Sequence, residues 1–290
     1  MQRFIPFLLA AACATRAFAG VDPAQLAAAR ELYGTRGKSA DAQKAFAAIV
    51  AADPNCAEAQ NFLAQLALRR DDADQAVACA EKAVALAPDN ADYQDTLGDA
   101  YGLSAQKASI FSQFGLAKKC LAAYQRAVAL APDNVEYHQS LFDYYRQAPG
   151  LAGGGSDKAA AEAETIKKLD PARGRLAFAA LYVADKKYDL ALAEFDAVLK
   201  ATPDDYSALY QVGRLAAMSG QHLDRGLASL RRCLELPVPA NTPGYPAAQW
   251  RIGNILEKKS DPAGARSAYE AALKLDPKFA QAADALKKLK

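Results

Sequence analysis

Few side chains in this sequence have the types and spacing that catalysis or metal binding needs. The two histidines, His138 and His222, lie far apart, and no H-E-x-x-H or G-x-S-x-G pattern is present. The stretch Gly150–Lys158 is rich in glycine and ends in a lysine. That lysine is misplaced relative to a phosphate-binding loop, and no strand is predicted before it. The sequence therefore argues against an enzyme, and it predicts no cofactor and no metal site.

The glycine-rich stretch has a simpler interpretation as a turn between two helices. Ser156 or Asp157 would then cap the helix that follows. In a second interpretation, the loop folds over the end of a groove and contacts a partner.

Four cysteines follow the first twenty residues: Cys56, Cys79, Cys120 and Cys233. They form no C-x-x-C pair and no regular framework, although an even number permits disulfides in an exported protein. Cysteine also serves as a compact hydrophobic residue where helices pack closely. We therefore expect unpaired, buried thiols.

The elements that must position these side chains are repeated helices. The string Ala-Val-Ala-Leu-Ala-Pro-Asp-Asn occurs twice, at Ala83–Asn90 and Ala127–Asn134. Proline cannot continue a helix, and the Asp or Asn that often follows it can cap the next one. Pro54 and Pro88 are 34 residues apart, as are Pro203 and Pro237. A 34-residue period with two helices in each repeat is typical of tetratricopeptide repeats.

Other positions agree with this period. Counted back from each proline, one position is large in four repeats and alanine in two others: Phe46, Tyr124, Phe195 and Tyr269, with Ala80 and Ala163. Another position is always small: Ala42, Ala76, Cys120, Ala159, Ala191 and Ala265. The sequence therefore resembles the tetratricopeptide repeat (TPR) family over nearly all of its length after the first twenty residues. The resemblance implies an all-α fold, a right-handed α-solenoid of stacked helix–turn–helix units.

We predict a single solenoid over residues 20–290, with about seven repeats and a C-terminal capping helix at 278–290. The repeats span about 23–56, 57–90, 91–134, 135–171, 172–205, 206–245 and 246–279. The third repeat carries about ten extra residues between Tyr101 and Cys120. Its apolar residues Ile110, Phe111, Phe114 and Leu116 either pack against each other or the adjoining repeat, or form an exposed patch that docks a partner.

Residues 1–19 have the pattern of a secretory signal peptide. Arg3 precedes the apolar run Phe4–Ala12, and Ala17–Ala19 provides a small-x-small cleavage site before Gly20. We expect an exported protein, periplasmic in a Gram-negative bacterium. Two alternatives are a frayed first helix and a lipoprotein anchored through Cys13. The rest of the chain has no apolar segment long enough to span a bilayer.

The charge of the chain argues against a nucleic acid partner. Lys and Arg total 35, and two of them, Arg3 and Arg16, lie in the first twenty residues. The remaining 33 equal the 33 Asp and Glu residues. A neutral mature chain lacks the basic footprint that nucleic acid binding needs.

The resemblance also indicates where a partner would bind, since the first helix of each TPR lines the concave face. The residues at those positions are Asp92, Asp95, Asp99, Glu136, Asp143, Tyr210, Arg214, Trp250, Arg251 and Asn254. An acidic stretch followed by an aromatic and arginine stretch could bind a protein or an extended peptide. Alternatively, the carboxylates are a solvated face and the two rings pack between helices. We predict an interaction scaffold; the alternative is an envelope-anchored structural or assembly factor.

Overall fold

The computed structural model describes residues 22–239 and 242–289. The predicted signal peptide, its cleavage site and Cys13 lie outside the described residues. Every regular element of the described residues is helical. These residues form two compact units, one up to Ala131 and one from Pro132 onwards. The repeat boundaries and the single array remain predictions.

The N-terminal unit contains six α-helices in the part of it that the structure describes. They are α1 (Pro23–Gly34), α2 (Ser39–Ala52), α3 (Ala57–Arg69), α4 (Ala73–Leu86), α5 (Ala91–Lys107) and α6 (Ile110–Leu130). The helices of the C-terminal unit are α7 (Val135–Gln147), α8 (Ser156–Leu169), α9 (Pro171–Ala184), α10 (Tyr188–Ala201), α11 (Tyr206–Ser219), α12 (Leu223–Cys233), α13 (Tyr245–Lys258), α14 (Pro262–Leu275) and α15 (Ala280–Lys288). We call α1, α3, α5, α7, α9, α11 and α13 the first helices, and α2, α4, α6, α8, α10, α12 and α14 the second helices.

The Asn or Asp that follows a repeated proline caps the start of the next first helix. The Asn90 side chain accepts a hydrogen bond from the backbone N–H of Tyr93, and Asn134 accepts one from Glu136. Asp205 caps α11 in the same way through the N–H of Ala208, at 2.7 Å. Each side chain satisfies a backbone donor that the helix leaves unpaired.

Small residues let the two helices of a repeat approach each other closely. A Cβ atom at Gly98 of α5 would lie 2.4 Å from the Tyr124 ring of α6. At Gly253 of α13 it would lie 2.2 Å from the Tyr269 ring of α14. Both tyrosines occupy the large position of the repeat, so each ring packs directly on the backbone of the facing helix.

The extra residues of the third repeat lengthen its two helices. Helices α5 and α6 have 17 and 21 residues, whereas α3 has 13 and α4 has 14. The side chains at the start of α6 are exposed, Ile110 by 78% and Phe111 by 93%. The expectation that the apolar residues of the insertion pack against other side chains was therefore wrong for Ile110 and Phe111.

The glycine-rich stretch forms the connection between α7 and α8. Gly150–Ala152 is one turn of 3₁₀ helix, and Gly153 follows in the left-handed conformation at φ 92°. The capping prediction was wrong, because α8 begins at Ser156 with Gly155 at the cap position and no side-chain cap. The Lys158 ammonium donates to the Gly153 carbonyl at 2.8 Å, which ties the turn to the start of α8.

None of the helices in residues 22–239 and 242–289 is both long enough and apolar enough to cross a bilayer.

Candidate functional site

The first helices of the N-terminal unit lie side by side and share one face. The Tyr33 hydroxyl of α1 donates to the Gln65 amide oxygen of α3 at 2.6 Å. The Gln65 amide nitrogen in turn donates to the Thr96 hydroxyl of α5 at 3.4 Å. Side chains of α1, α3 and α5 that point away from the second helices therefore form a common surface, the first-helix face.

Three of the predicted binding residues lie on α5, in the N-terminal unit. Asp92 and Asp99 are exposed, and Asp95 is half-buried. Asp99 accepts a hydrogen bond from the Tyr124 hydroxyl at 2.7 Å. Burial among neighbouring atoms raises the pKa of Asp99, and the Tyr124 hydrogen bond partly opposes this rise. Asp99 is thus an accessible carboxylate in crowded surroundings.

Helices α7, α9, α10 and α11 of the C-terminal unit form a concavity of about 460 Å³, which we call the C-unit cavity. Apolar side chains of α9, α10 and α11 supply much of its lining. A ring of polar side chains from α7 and α11 completes it. The cavity is lined by Gln139, Phe142, Asp143, Arg146, Leu176, Ala177, Ala180, Val183, Ala184, Phe195, Ser207, Gln211, Arg214 and Met218.

The polar groups of the C-unit cavity differ in how well they are paired. Asp143 accepts hydrogen bonds from Gln139 at 3.0 Å and from Arg146 at 2.8 Å. Arg214 donates to the neutral Gln211 amide oxygen at 3.1 Å. Burial lowers the pKa of Arg214, and the nearby cations Arg251 and Arg146 lower it further. An anionic group beside Arg214 would relieve this crowding of positive charge.

The two predicted groove aromatics are used mainly in helix packing. Tyr210 is only 5% exposed and lies in the core that α11, α12 and α13 share. Trp250 is half-buried, with its ring centroid 6.1 Å from that of Phe279, in the core cluster of α14 and α15. Both rings were predicted to point towards the groove, whereas the structure packs them against neighbouring helices.

The remaining predicted residues have partners in their own unit. Arg251 lies over the Trp250 ring, 4.1 Å from its centroid. Asn254 accepts a hydrogen bond from the Tyr269 hydroxyl at 2.8 Å. Glu136 on α7 pairs with Arg173 on α9, and the Arg173 hydrogen bond lowers the pKa of Glu136. Of the ten predicted residues, the C-unit cavity brings together Asp143 and Arg214. Whether any of the ten binds a partner remains a prediction.

The buried histidine, His138, has hydrogen-bond partners that were not predicted from the sequence. His138 Nε2 lies 2.8 Å from the carbonyl oxygen of Pro132, and its Nδ1 lies 2.7 Å from a carboxylate oxygen of Glu162. Gln60 and Gln94, at the same place after Pro54 and Pro88, donate to those proline carbonyls. Comparing the residue six places after each proline could have revealed this role.

The described residues contain no group of three or more His, Cys, Asp or Glu side chains placed to hold a metal ion. The cysteines of the same part of the chain are free thiols, with Cys120 and Cys233 buried and Cys56 and Cys79 half-buried. Burial raises the pKa of both Cys120 and Cys233 to about 12.

The fold is similar to that of several solved structures. A TPR protein of Thermus thermophilus is 22% identical with a TM-score of 0.53, covering 73% of this chain and 98% of its own. A tetratricopeptide repeat protein of Parabacteroides merdae is 16% identical with a TM-score of 0.64, covering 91% of this chain and 96% of its own. Yeast Tom70 is 16% identical with a TM-score of 0.67, covering 99% of this chain and 59% of its own.

These similarities confirm the predicted fold class, an all-α solenoid of TPR units. None of the curated proteins compared with the sequence matches it. The tetratricopeptide repeat model matches residues 26–91, 176–232 and 215–280, together more than half of the 290 residues. The chain therefore belongs to the tetratricopeptide repeat family.

Proposed function

We propose that this protein is an exported interaction scaffold that binds an extended peptide segment at the C-unit cavity of its C-terminal unit. Stacked repeats expose an extended surface made of many short helices, and such surfaces serve protein recognition. The observation that carries the proposal is the C-unit cavity, because it combines an apolar lining with an arginine that has no carboxylate partner among the described residues.

The cavity suits one apolar side chain of a partner next to a carboxylate. Leu176, Val183 and Met218 offer an apolar surface, and a volume of about 460 Å³ accommodates a medium-sized side chain. Arg214 at the same cavity can bind a carboxylate through two parallel hydrogen bonds. Asp143 is already held by Gln139 and Arg146, so it serves to orient Arg146.

The acidic side chains of α5 give the N-terminal unit a surface of opposite character. Asp92, Asp95 and Asp99 are spaced to share one helix face. We infer that this surface favours the basic residues of a partner. Because exposed charge pairs are screened by salt, its contribution to affinity falls as ionic strength rises.

A cavity-filling variant tests the peptide-binding proposal. Ala180 of α9 lines the cavity, whereas Ala161 of α8 is exposed on a second helix. Peptides selected by display on the mature chain should lose about tenfold or more in affinity with Ala180→Trp. Ala161→Trp is the matched control and should bind as the unchanged chain does. Equal affinity for both variants, with unchanged circular dichroism, would exclude the cavity as the binding site.

Export is a separate part of the proposal and rests on the pattern of residues 1–19. N-terminal sequencing of the native protein should give a mature chain that begins near Gly20. A protein that still begins at Met1 would contradict export. A lipid-modified Cys13 would replace the scaffold in solution with the envelope-anchored alternative.

A further inference from the structure

The most exposed apolar surface of the described residues lies at the start of α6. Ile110, Phe111 and Phe114 are 78%, 93% and 41% exposed. At 3.6 residues per turn, positions i, i+1 and i+4 fall within about 100° of one another around the helix axis, so the three side chains lie on one side of the start of α6. Isolated exposed apolar residues are ordinary, but two phenylalanines and an isoleucine on one helical turn form a patch. We call Ser109–Gly115 the hairpin tip.

The charged side chains along the chain on both sides of the hairpin tip have a single sign. Residues 100–131, which run from the middle of α5 to the end of α6, contain three lysines and one arginine but no Asp or Glu. Lys107 pairs with Asp71 at 2.6 Å, and Arg126 pairs with Asp89 at 2.5 Å. Lys118 and Lys119 form no ion pair within the described residues and are exposed.

The two unpaired lysines lie directly behind the tip along α6. The Lys118 ammonium is 4.5 Å from the centroid of the Phe114 ring, on the same side of the helix. At 1.5 Å per residue, Lys118 is about 10 Å along the helix from Phe111. An amphipathic helix at a membrane interface buries its apolar residues only about 5–10 Å deep, so a cation about 10 Å from those residues can reach the headgroups.

We propose that the hairpin tip docks on an anionic phospholipid surface. Ile110, Phe111 and Phe114 enter the interfacial region, while Lys118 and Lys119 contact the headgroup phosphates. Neither signal suffices alone, because a small apolar insertion is weak and two lysines attract only an anionic surface. Charge complementarity selects lipid over a second copy of this chain, whose tip would carry the same positive charge. This proposal is independent of peptide binding in the C-unit cavity.

Vesicle flotation with the mature chain tests the proposal. The protein should float with vesicles that contain phosphatidylglycerol, and much less with vesicles of phosphatidylcholine alone. The double variant Ile110→Ser, Phe111→Ser should lose about tenfold or more in vesicle affinity. Both side chains are exposed, so circular dichroism and the unfolding midpoint should be unchanged. Leu151→Ser removes an 87% exposed leucine from the other unit and should leave flotation unchanged.

Two further measurements separate the parts of the mechanism. Lys118→Glu with Lys119→Glu should abolish the preference for phosphatidylglycerol. Brominated lipid should quench the tryptophan fluorescence of Phe111→Trp more strongly than that of the unchanged chain, which reports Trp250 alone. Absence of flotation, equal flotation on both vesicle types, or full flotation of the double serine variant would overturn the proposal. A dimer in solution that the double serine variant abolishes would also overturn it, in favour of a second copy.

Discussion

At the scale of single residues, His138 shows how the repeat period explains a polar side chain in the core. Both of its ring nitrogens face acceptor oxygens, one on Pro132 and one on Glu162. In two other repeats, Gln60 and Gln94 donate a hydrogen bond to the corresponding proline carbonyl. The histidine therefore secures the start of the first helix in the fourth repeat, and its burial needs no catalytic explanation.

We expect His138→Ala to lower the free energy of unfolding by about 1–3 kcal/mol, because it leaves the Pro132 carbonyl and the Glu162 carboxylate without their partner in the half-buried start of α7. His138→Gln should cost clearly less, since glutamine makes the bond to proline in two other repeats. Urea unfolding followed by circular dichroism measures both values. An equal loss for the two variants would contradict the role assigned to the Pro132 bond.

The buried thiols give a prediction about pH. Burial raises the pKa of Cys120 and Cys233 from 9.0 to about 12. At pH 8 this lowers their thiolate fraction about a thousandfold, so iodoacetamide should modify them in urea and leave them unmodified in the native protein. Mass spectrometry of the labelled peptides gives the measurement. Rapid native labelling of either cysteine would contradict its burial.

The raised pKa of the two buried thiols also predicts how stability changes at alkaline pH. Between pH 9 and about 12 the folded state keeps thiol protons that the unfolded state has lost. The free energy of unfolding should therefore fall as the pH rises through this window. The double variant Cys120→Ala, Cys233→Ala should reduce this fall relative to the unchanged chain. An identical slope in the variant would assign the alkaline destabilisation to other groups.

At the scale of elements, the helix pairs depend on small residues facing large ones. Gly98 and Gly253 occupy the same place in the first helices of their repeats, and the structure shows a tyrosine ring packed on each. An ordinary helix would gain stability from alanine at these positions. Here the added methyl group would displace Tyr269 or Tyr124, so packing outweighs helix propensity.

Gly253→Ala should lower the free energy of unfolding by about 1–3 kcal/mol, as overpacking does. Gly115→Ala is the matched control, because it lies in α6 with nothing within 4 Å of the added carbon. That variant should instead gain up to about 1 kcal/mol from helix propensity. Thermal and urea unfolding of both variants give the comparison. A gain of stability in Gly253→Ala would mean that the Tyr269 ring moves aside at little cost.

At the scale of the whole molecule, contacts are mainly between neighbouring helices, and the chain divides into two compact units. Each unit has its own buried side chains, such as Leu66 in the first and Leu215 in the second. Nearest-neighbour packing of this kind allows part of an array to open while the rest stays folded.

We therefore expect Leu66→Ala to remove protection from hydrogen exchange mainly in α1 to α6, and Leu215→Ala mainly in α7 to α15. Each substitution should cost about 2–5 kcal/mol, as large-to-small core changes do. Hydrogen exchange with mass spectrometry of peptides from both units gives the measurement. Loss of protection throughout the chain from either variant would show that the two units unfold as one.

The fold could be predicted from the sequence because its determinants are local and repeated. Proline ends a helix, the Asn or Asp after it caps the next, and small and large residues alternate at a fixed period. These signals placed the helix starts at α5, α7 and α11. The predicted cap of α8 by Ser156 or Asp157 was wrong because Gly155 occupies the cap position. Its backbone conformation could not be predicted from side-chain chemistry.

The tertiary structure decided which polar and aromatic side chains are available to a partner. Their positions in the repeat predicted that Tyr210 and Trp250 point towards the groove. In the structure, α13 covers Tyr210, and Phe279 packs on Trp250. The cavity beside Arg214 could not be read from the sequence, because α7, α9, α10 and α11 each supply part of its lining. The repeat period and the residues that end and cap helices depend on neighbours along the chain. Exposure and cavities depend on side chains that only folding brings together.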